Sequence, residues 1–114
     1  MALSKDKINN FNFLVQKASM AAQEAVKDFD ESDQAYNCGF AWLVLPGRGD
    51  FASFLKNHRG ASKNYGSKGI VLWYSNVYNS RGSQSMTKHR IACEAFAKVL
   101  REAGYECVVE SRLD

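Results

Sequence analysis

Residues 85–104, SMTKHRIACEAFAKVLREAG, carry the strongest helix signal in the chain. Apolar residues recur there at three- and four-residue spacing and form one stripe, made of Ala92, Cys93, Ala95, Phe96, Val99 and Leu100. Ser85 suits the N-cap, and Gly104 suits the left-handed residue that ends a helix. The pattern predicts a long amphipathic helix over about 86–103, whose stripe must be covered by other elements.

Runs rich in aromatic and branched residues predict strands on either side of this helix. Residues 38–45, CGFAWLVL, end at Pro46 and read as a buried strand, and residues 70–78, IVLWYSNVY, as a second. Residues 105–113 alternate as a third strand, with Tyr105, Cys107 and Val109 on one side. The long helix would let its two flanking strands run parallel through a right-handed crossover.

The N-terminal segment predicts another amphipathic helix, over about residues 5–29, with Ser4 as its cap. Acidic residues at 28–33 then mark a solvated connection. Small residues form one face of the helix: Ala18, Ala21, Ala22 and Ala25. We expect this face to pack on the sheet; the alternative is the same helix of another copy, in a homodimer.

A short helix is predicted after the Gly47-Arg48-Gly49 turn, with Asp50 as its N-cap and Phe51, Phe54 and Leu55 as its apolar face. Gly60 ends it, and residues 60–69 read as an exposed, mobile loop. The order αβαβαβ predicts a single α+β domain over 1–114, with a three-stranded mixed sheet. Residues 1–33 hold the N-terminal helix and its acidic connection, and 38–114 hold the core.

Composition places the chain among ordinary globular proteins, with 46% apolar and 24% charged residues in 114. No apolar run approaches the length of about 20 residues that a membrane-spanning helix needs, and no secretory signal is visible, so we expect a cytoplasmic protein. Three cysteines without a CxxC pair and two isolated histidines predict reduced thiols and no metal site. We expect no cofactor.

Charge is distributed unevenly along the chain. Residues 46–90 hold eight Lys or Arg against the single acid Asp50, whereas both flanks carry more acids than bases. Such a region attracts phosphates, nucleic acid or an acidic protein surface. The phosphate-binding candidates are these eight bases and one aromatic residue among them: Arg48, Lys56, Arg59, Lys63, Tyr65, Lys68, Arg81, Lys88 and Arg90.

Each part of this region has an alternative explanation. The Gly47–Asp50 turn would offer an anion the N-terminus of a helix and Arg48, or it serves only to turn and cap the chain. The lysines of the loop would follow a phosphate backbone, or they only keep the surface solvated. Alternation along the second strand puts Trp73 on the face opposite Tyr74 and Tyr78, so we expect one face to belong to the core. The other face would stack bases or would be covered by the N-terminal helix.

Catalytic signals are weak, and we expect no enzyme. The basic middle has only Asp50, whereas metal-dependent nucleases need clustered carboxylates. Cysteine–histidine pairs such as Cys38 with His58, or Cys93 with His89, are conceivable, but buried structural cysteines are commoner.

Four segments together resemble a family of small bacteriophage-encoded proteins of unassigned function. They are CGFAWLVLPGRGDFASFLK from Cys38, GIVLWYSN from Gly69, QSMTKHRIACEAFAKVLREAG from Gln84 and SRLD from Ser111. Two departures are Phe54, where the family pattern has Trp, and Lys88-His89-Arg90, where it has Lys-Glu. The resemblance implies a viral accessory protein in the host cytoplasm that acts by binding, and it transfers no catalytic residue.

Three functional hypotheses follow. The first is a non-catalytic, phage-type accessory protein for host takeover or anti-defence, which binds nucleic acid or a nucleotide signal through the basic middle. The second is a protein–protein inhibitor that docks on an acidic host protein. The third is a small hydrolase that uses His58 or His89.

Overall fold

The computed structural model describes residues 3–30, 38–63 and 69–114. Its three helices are α1 (Lys5–Val26), α2 (Asp50–His58) and α3 (Met86–Glu102). Its strands are β1 (Gly39–Pro46), β2 (Ser62–Lys63), β3 (Gly69–Trp73) and β4 (Val108–Leu113), and a 3-10 helix, Tyr74–Asn76, follows β3. The α+β class predicted from the sequence is confirmed.

The four strands form one sheet in the order β2-β3-β1-β4, and every neighbouring pair is antiparallel. The prediction of a three-stranded mixed sheet is therefore wrong in the number of strands and in the relative direction of neighbouring strands. β3 and β4 do run in the same direction, because each is antiparallel to β1, which lies between them. From β1 onward the connectivity is that of the split β-α-β-β-α-β, or ferredoxin-like, motif.

The central strand β1 separates the two faces of the sheet by alternation. Gly39, Ala41, Leu43 and Leu45 are buried on one face, whereas Phe40, Trp42 and Val44 are half-buried on the other. Leu43 lies opposite Leu72 of β3 on the buried face, and Trp42 lies opposite Trp73 on the outer face.

Helix α3 covers the buried face, as its stripe predicts. Ala92, Cys93, Phe96 and Leu100 have no exposed surface, and the helix packs against β1 and β4. The Ser85 side chain accepts a hydrogen bond from the Lys88 N–H, at 3.2 Å. Gly104 adopts φ +97°, so both predicted ends of the helix are confirmed.

Helix α1 packs against α3 and not against the sheet, so the predicted contact of its small-residue face is wrong. Ser4 caps it as expected. Ala18 and Ala22 are fully buried, whereas Ala25 is exposed. The buried face of the sheet is already covered by α3, so α1 packs on α3 instead. The small alanine side chains of α1 let the two helices approach closely. The burial of Ala18 and Ala22 within the chain also leaves this face unable to join two copies.

Two turns differ from their predictions. Gly49, with φ +97°, is the N-cap of α2, so Asp50 is the first helical residue and forms an ion pair with Lys7. Phe51, Phe54 and Leu55 are buried as predicted. In the segment predicted to be a loop, Ser62–Lys63 pairs with β3, because its backbone completes the edge of the sheet. Residues 64–68 lie outside the described residues.

The second predicted strand is too long. β3 ends at Trp73, and Tyr74–Asn76 turn into the 3-10 helix. Tyr74 stacks on the His89 ring, which draws the chain away from the sheet, and Ser75-Asn76 are turn-forming residues. The last strand also starts later than predicted, because Tyr105 packs on the Phe51 ring, with centroids 4.3 Å apart.

Candidate nucleic-acid interface

Three aromatic side chains form a cluster on the outer face of the sheet. Phe40 and Trp42 come from β1 and Trp73 from β3, the two central strands. The Trp42 and Trp73 ring centroids are 5.0 Å apart, and Phe40 meets Trp73 edge-on at 6.0 Å. Trp73 is 37% exposed, and the other two are half-buried. We call Phe40, Trp42 and Trp73 the aromatic face.

Strand β4 orients this aromatic face. The Trp42 indole Nε1 donates a hydrogen bond to Glu110 Oε1 at 3.0 Å, and Arg112 Cζ lies 5.9 Å from the centroid of the Phe40 ring. The contact between Arg112 and Phe40 has cation–π geometry. One acid and one base therefore border the aromatic face, and the rings are held in place before any ligand arrives.

The helices leave this side of the sheet uncovered. α3 packs on the opposite face and α1 packs on α3, so within residues 3–30, 38–63 and 69–114 no helix lies over the aromatic face. The alternation that buries Leu43 on β1 necessarily places Trp42 on the other side. The sequence hypothesis that α1 covers the open face is therefore wrong.

A polar cleft of about 600 Å³ lies between α1, the end of α2 and the segment that follows β3. Arg59 Nη2 donates to Asn12 Oδ1 at 2.9 Å, which holds the guanidinium at the cleft. Gln23 and the Asn79 backbone exchange hydrogen bonds of 3.3 and 3.1 Å across it. No carboxylate is among its described lining residues, which are Ser19, Gln23, His58, Arg59 and residues 75–80. This composition suits an anion.

Arg81 directly follows the cleft and has an unusual backbone. Its φ is +53°, a conformation that non-glycine residues adopt rarely, and its N–H donates to Asn79 Oδ1 at 3.0 Å. Gly82 follows with φ +79°. The Asn79 side chain therefore fixes a tight turn that places an exposed arginine beside the cleft.

Buried His89 supports the segment that joins the two surfaces. Its Nδ1 lies 2.6 Å from the Tyr78 hydroxyl, and its ring stacks on Tyr74 with centroids 3.6 Å apart. Trp73 of the aromatic face and Ser75 of the cleft are two residues apart, so their Cα atoms lie within about 7 Å. The end of β3 therefore connects the aromatic face to the polar cleft, whose other wall, with Ser19 and Gln23, lies on α1 in the helical layer.

The predicted basic residues are spread over the surface. Arg59 lines the polar cleft and Arg81 follows its lining segment in the chain, whereas Arg48 precedes the other end of α2, a helix about 14 Å long. Lys56 is exposed on α2, Lys63 on the edge strand β2, and Arg90 on α3, where Lys88 is half-buried. Tyr65 and Lys68 lie outside the described residues. Of these residues, Arg59 lines the polar cleft, and Arg81 follows the last lining residue, Ser80, in the chain.

Arg48 lines a separate depression of about 800 Å³ near the N-terminus of α2. Lys7 and Tyr105 line it too, but so do the carboxylates of Asp50 and Glu106. The anion site expected at this turn stays a prediction, and the paired charges of Lys7 and Asp50 make it less favourable for an anion than the polar cleft.

Sequence reasoning missed Phe40 and Trp42, because residues 38–45 were interpreted as buried throughout. The signal was present: small or aliphatic residues alternate with large aromatic ones along this strand. Asn12, Gln23 and Asn79 were also missed, since no local pattern joins three residues so distant in sequence.

Two of the cysteines, Cys93 and Cys107, lack the features of a nucleophile. Burial and, as the smaller cause, the nearby charge of Glu94 together raise the pKa of the Cys93 thiol to about 12, although Cys93 and His89 share one side of α3. Burial also raises the pKa of Cys107, whose Sγ lies 3.6 Å from the Ala97 carbonyl oxygen. Cys38 is only half-buried.

We expect iodoacetamide at mildly alkaline pH to alkylate Cys38 first, and Cys93 at least about tenfold more slowly, because the thiolate is the reactive species. Peptide mass spectrometry after timed labelling measures both rates. Denaturant should remove the difference. Equal rates in the folded protein would contradict the burial of Cys93.

Other site types find no support in the described part of the chain. No group of three or more His, Cys, Asp or Glu side chains there is placed to hold a metal ion. No described helix combines the length and apolar character needed to span a bilayer. Comparisons with protein-family models, curated proteins and solved structures found no match to the chain.

Proposed function

We propose that the chain is a non-catalytic binding protein for single-stranded nucleic acid, with bases stacked on the aromatic face and phosphates held at the polar cleft. Its resemblance to small phage-encoded proteins makes it an accessory protein of the host cytoplasm in this proposal. Such proteins act largely by binding host components, which favours binding over catalysis.

The aromatic face carries the proposal. Aromatic side chains on the open face of a four-stranded sheet are the surface on which RNA-recognition modules stack two or three bases. Here Phe40, Trp42 and Trp73 occupy the central strands of such a sheet, and Trp73 is the most exposed of them. Stacking contributes about 1–3 kcal/mol per base and tolerates any base, so we expect weak sequence preference.

Arg59 and Arg81 supply the charge that a phosphate backbone needs. Arg59 lines the cleft formed with residues 75–80, and Arg81 follows that segment in the chain. In this proposal a single nucleic-acid strand passes from the ring of Trp73 to the two guanidinium groups. Duplex DNA keeps its bases stacked inside, so it cannot use the aromatic face. We therefore expect single strands to bind more tightly than duplex of the same sequence.

Charge reversal tests the phosphate contacts. We expect Arg59→Glu and Arg81→Glu each to weaken binding of a labelled oligonucleotide of about 10 nucleotides by several-fold, and to flatten the salt dependence by about 0.7 in log–log slope per phosphate lost. Fluorescence anisotropy at several salt concentrations measures both quantities.

Lys98→Glu is the matched control, because Lys98 is exposed on α3 and lines neither surface. Circular dichroism checks that each variant is folded. Affinity that is unchanged in both arginine variants, or lost equally in Lys98→Glu, would refute the assignment of the polar cleft.

An acidic host protein is the alternative partner. An aromatic patch beside arginines also suits a protein interface, where both residue types are enriched. That alternative predicts a stoichiometric complex with a host protein, together with no affinity for oligonucleotides of either strandedness. The anisotropy titration separates the two proposals before any target is sought.

A further inference from the structure

The two edges of the sheet differ in a way that matters for assembly. β2, at one edge, has two residues, and one of them is a lysine, a feature that discourages pairing with another chain. β4, at the other edge, has six residues without proline or lysine. Val108 and Leu113 on it are 55% and 56% exposed. Among the described residues, no strand pairs with the outer edge of β4.

The hydrogen bonds to β1 show which backbone groups of β4 face outward. The Asp114 N–H donates to the Cys38 carbonyl at 2.9 Å, continuing the register that pairs Phe40 with Arg112 and Trp42 with Glu110. Backbone groups alternate sides along an antiparallel strand. The N–H and C=O groups of Val109, Ser111 and Leu113 therefore point away from β1, toward the open edge.

We propose that two copies of this chain pair through β4, antiparallel, about a twofold axis at Ser111. In that register Ser111 meets the partner's Ser111, and Val109 meets the partner's Leu113, so all outward backbone groups find partners. Edge pairing of this kind is a common mode of strand addition, and a twofold interface uses the same patch on both copies.

Charge complementarity selects this register. Glu110 would lie directly opposite the partner's Arg112, and Arg112 opposite the partner's Glu110, as a pair whose side chains approach closely. The contacts of Glu110 with Trp42 and of Arg112 with Phe40 leave further acceptor and donor sites for this pair. A shift by one residue would place Ser111 opposite Arg112 or Glu110 and lose both pairs.

The assembly would be a continuous eight-stranded antiparallel sheet. Since the twofold axis is perpendicular to the sheet, the helices of both copies lie on one side and both aromatic faces on the other. The inference goes beyond the proposed function and does not depend on it, because it rests on the edge of the sheet and not on any ligand.

Ser111→Pro tests the backbone pairing. The Ser111 N–H points outward, so proline removes a bond of the interface and none of the ladder with β1, and edge strands tolerate proline. Size-exclusion chromatography with light scattering should give a mass near twice 12.8 kDa for the native protein, and near 12.8 kDa for the variant at the same concentration. Glu106→Arg, just before the strand, is the control that should remain dimeric.

Charge variants test the register. The Glu110→Arg variant and the Arg112→Glu variant should each shift toward the monomer, because like charges then face each other across the interface. We expect the dissociation constant of the dimer to rise about tenfold or more in each variant. The double variant, with both substitutions, restores opposite charges and should dimerise again. Intrachain contacts of Glu110 and Arg112 are not rebuilt by this exchange, so recovery would come from the pair between copies.

Three outcomes would overturn the proposal: a monomeric native protein throughout a dilution series, a Ser111→Pro variant that is folded and dimeric, or a charge-exchanged double variant that stays monomeric. Circular dichroism establishes folding in each case. A native protein that is dimeric by mass but does not bind oligonucleotides would count against the proposed function alone.

Discussion

Replacing Trp73 by alanine should weaken binding of a short single-stranded oligonucleotide by about 5- to 150-fold, which corresponds to the stacking energy of one base. Trp73 is the most exposed ring of the aromatic face, and it lies next to the segment that forms the polar cleft. Its removal takes away the central ring, which contacts both Trp42 and Phe40. Fluorescence anisotropy of a labelled oligonucleotide measures the change.

Phe13→Ala is the matched control for this loss. Phe13 is 73% exposed on α1, in the helical layer, so its removal takes away an aromatic side chain of similar character from the opposite side of the molecule. We expect its affinity to equal that of the native protein. If Trp73→Ala binds as tightly as the native protein, or if Phe13→Ala loses as much, the aromatic face is not where bases bind.

The second large effect is on stability. His89→Ala should lower the free energy of unfolding by about 2–4 kcal/mol, out of the roughly 5–15 kcal/mol that is typical of a domain. The substitution leaves a cavity under Tyr74 and removes the hydrogen-bond partner that lies 2.6 Å from the buried Tyr78 hydroxyl. Urea denaturation followed by circular dichroism measures the change.

Neighbouring variants separate the contributions. Tyr78→Phe removes only the hydroxyl and should lower the free energy of unfolding by about 1 kcal/mol. Arg90→Ala, at the next, exposed position of α3, should stay within about 0.5 kcal/mol of the native protein. A destabilisation of His89→Ala no greater than that of Arg90→Ala would show that His89 does not support the segment from Trp73 to Tyr78.

Local periodicity predicted the helices well. The stripe of α3 and its caps at Ser85 and Gly104 are correct, because a 3.6-residue repeat and capping chemistry are both encoded within one segment. The same holds for α1 and its cap at Ser4. The N-cap of α2 was placed one residue late, since Gly49 and Asp50 both suit that position and only the backbone geometry distinguishes them.

Long-range pairing limited the prediction of the sheet. The two residues of β2 have no strand signal of their own and pair only because β3 presents an edge to them. β3 was predicted to extend to Tyr78, because Tyr74, Val77 and Tyr78 have high strand propensity, yet contact with His89 ends it at Trp73. Such contacts depend on residues far along the chain.

The candidate site was only partly accessible from sequence. Charge along the chain pointed to Arg59 and Arg81 but also to Arg48, which lies at the far end of α2. The separation of two residues along the chain does not determine whether their side chains lie on the same surface. The aromatic face required both the alternation of β1 and the pairing of Trp42 with Trp73, and only the first of these is local.

Intrinsic tryptophan fluorescence gives the most direct test of the central claim that bases stack on the aromatic face. The chain has two tryptophans, Trp42 and Trp73, and both belong to that face, so the emission reports on it alone. Titration with oligothymidylate or oligouridylate at low salt should give saturable quenching that weakens as salt is added. Unchanged emission from the folded protein at every oligonucleotide concentration would contradict the claim.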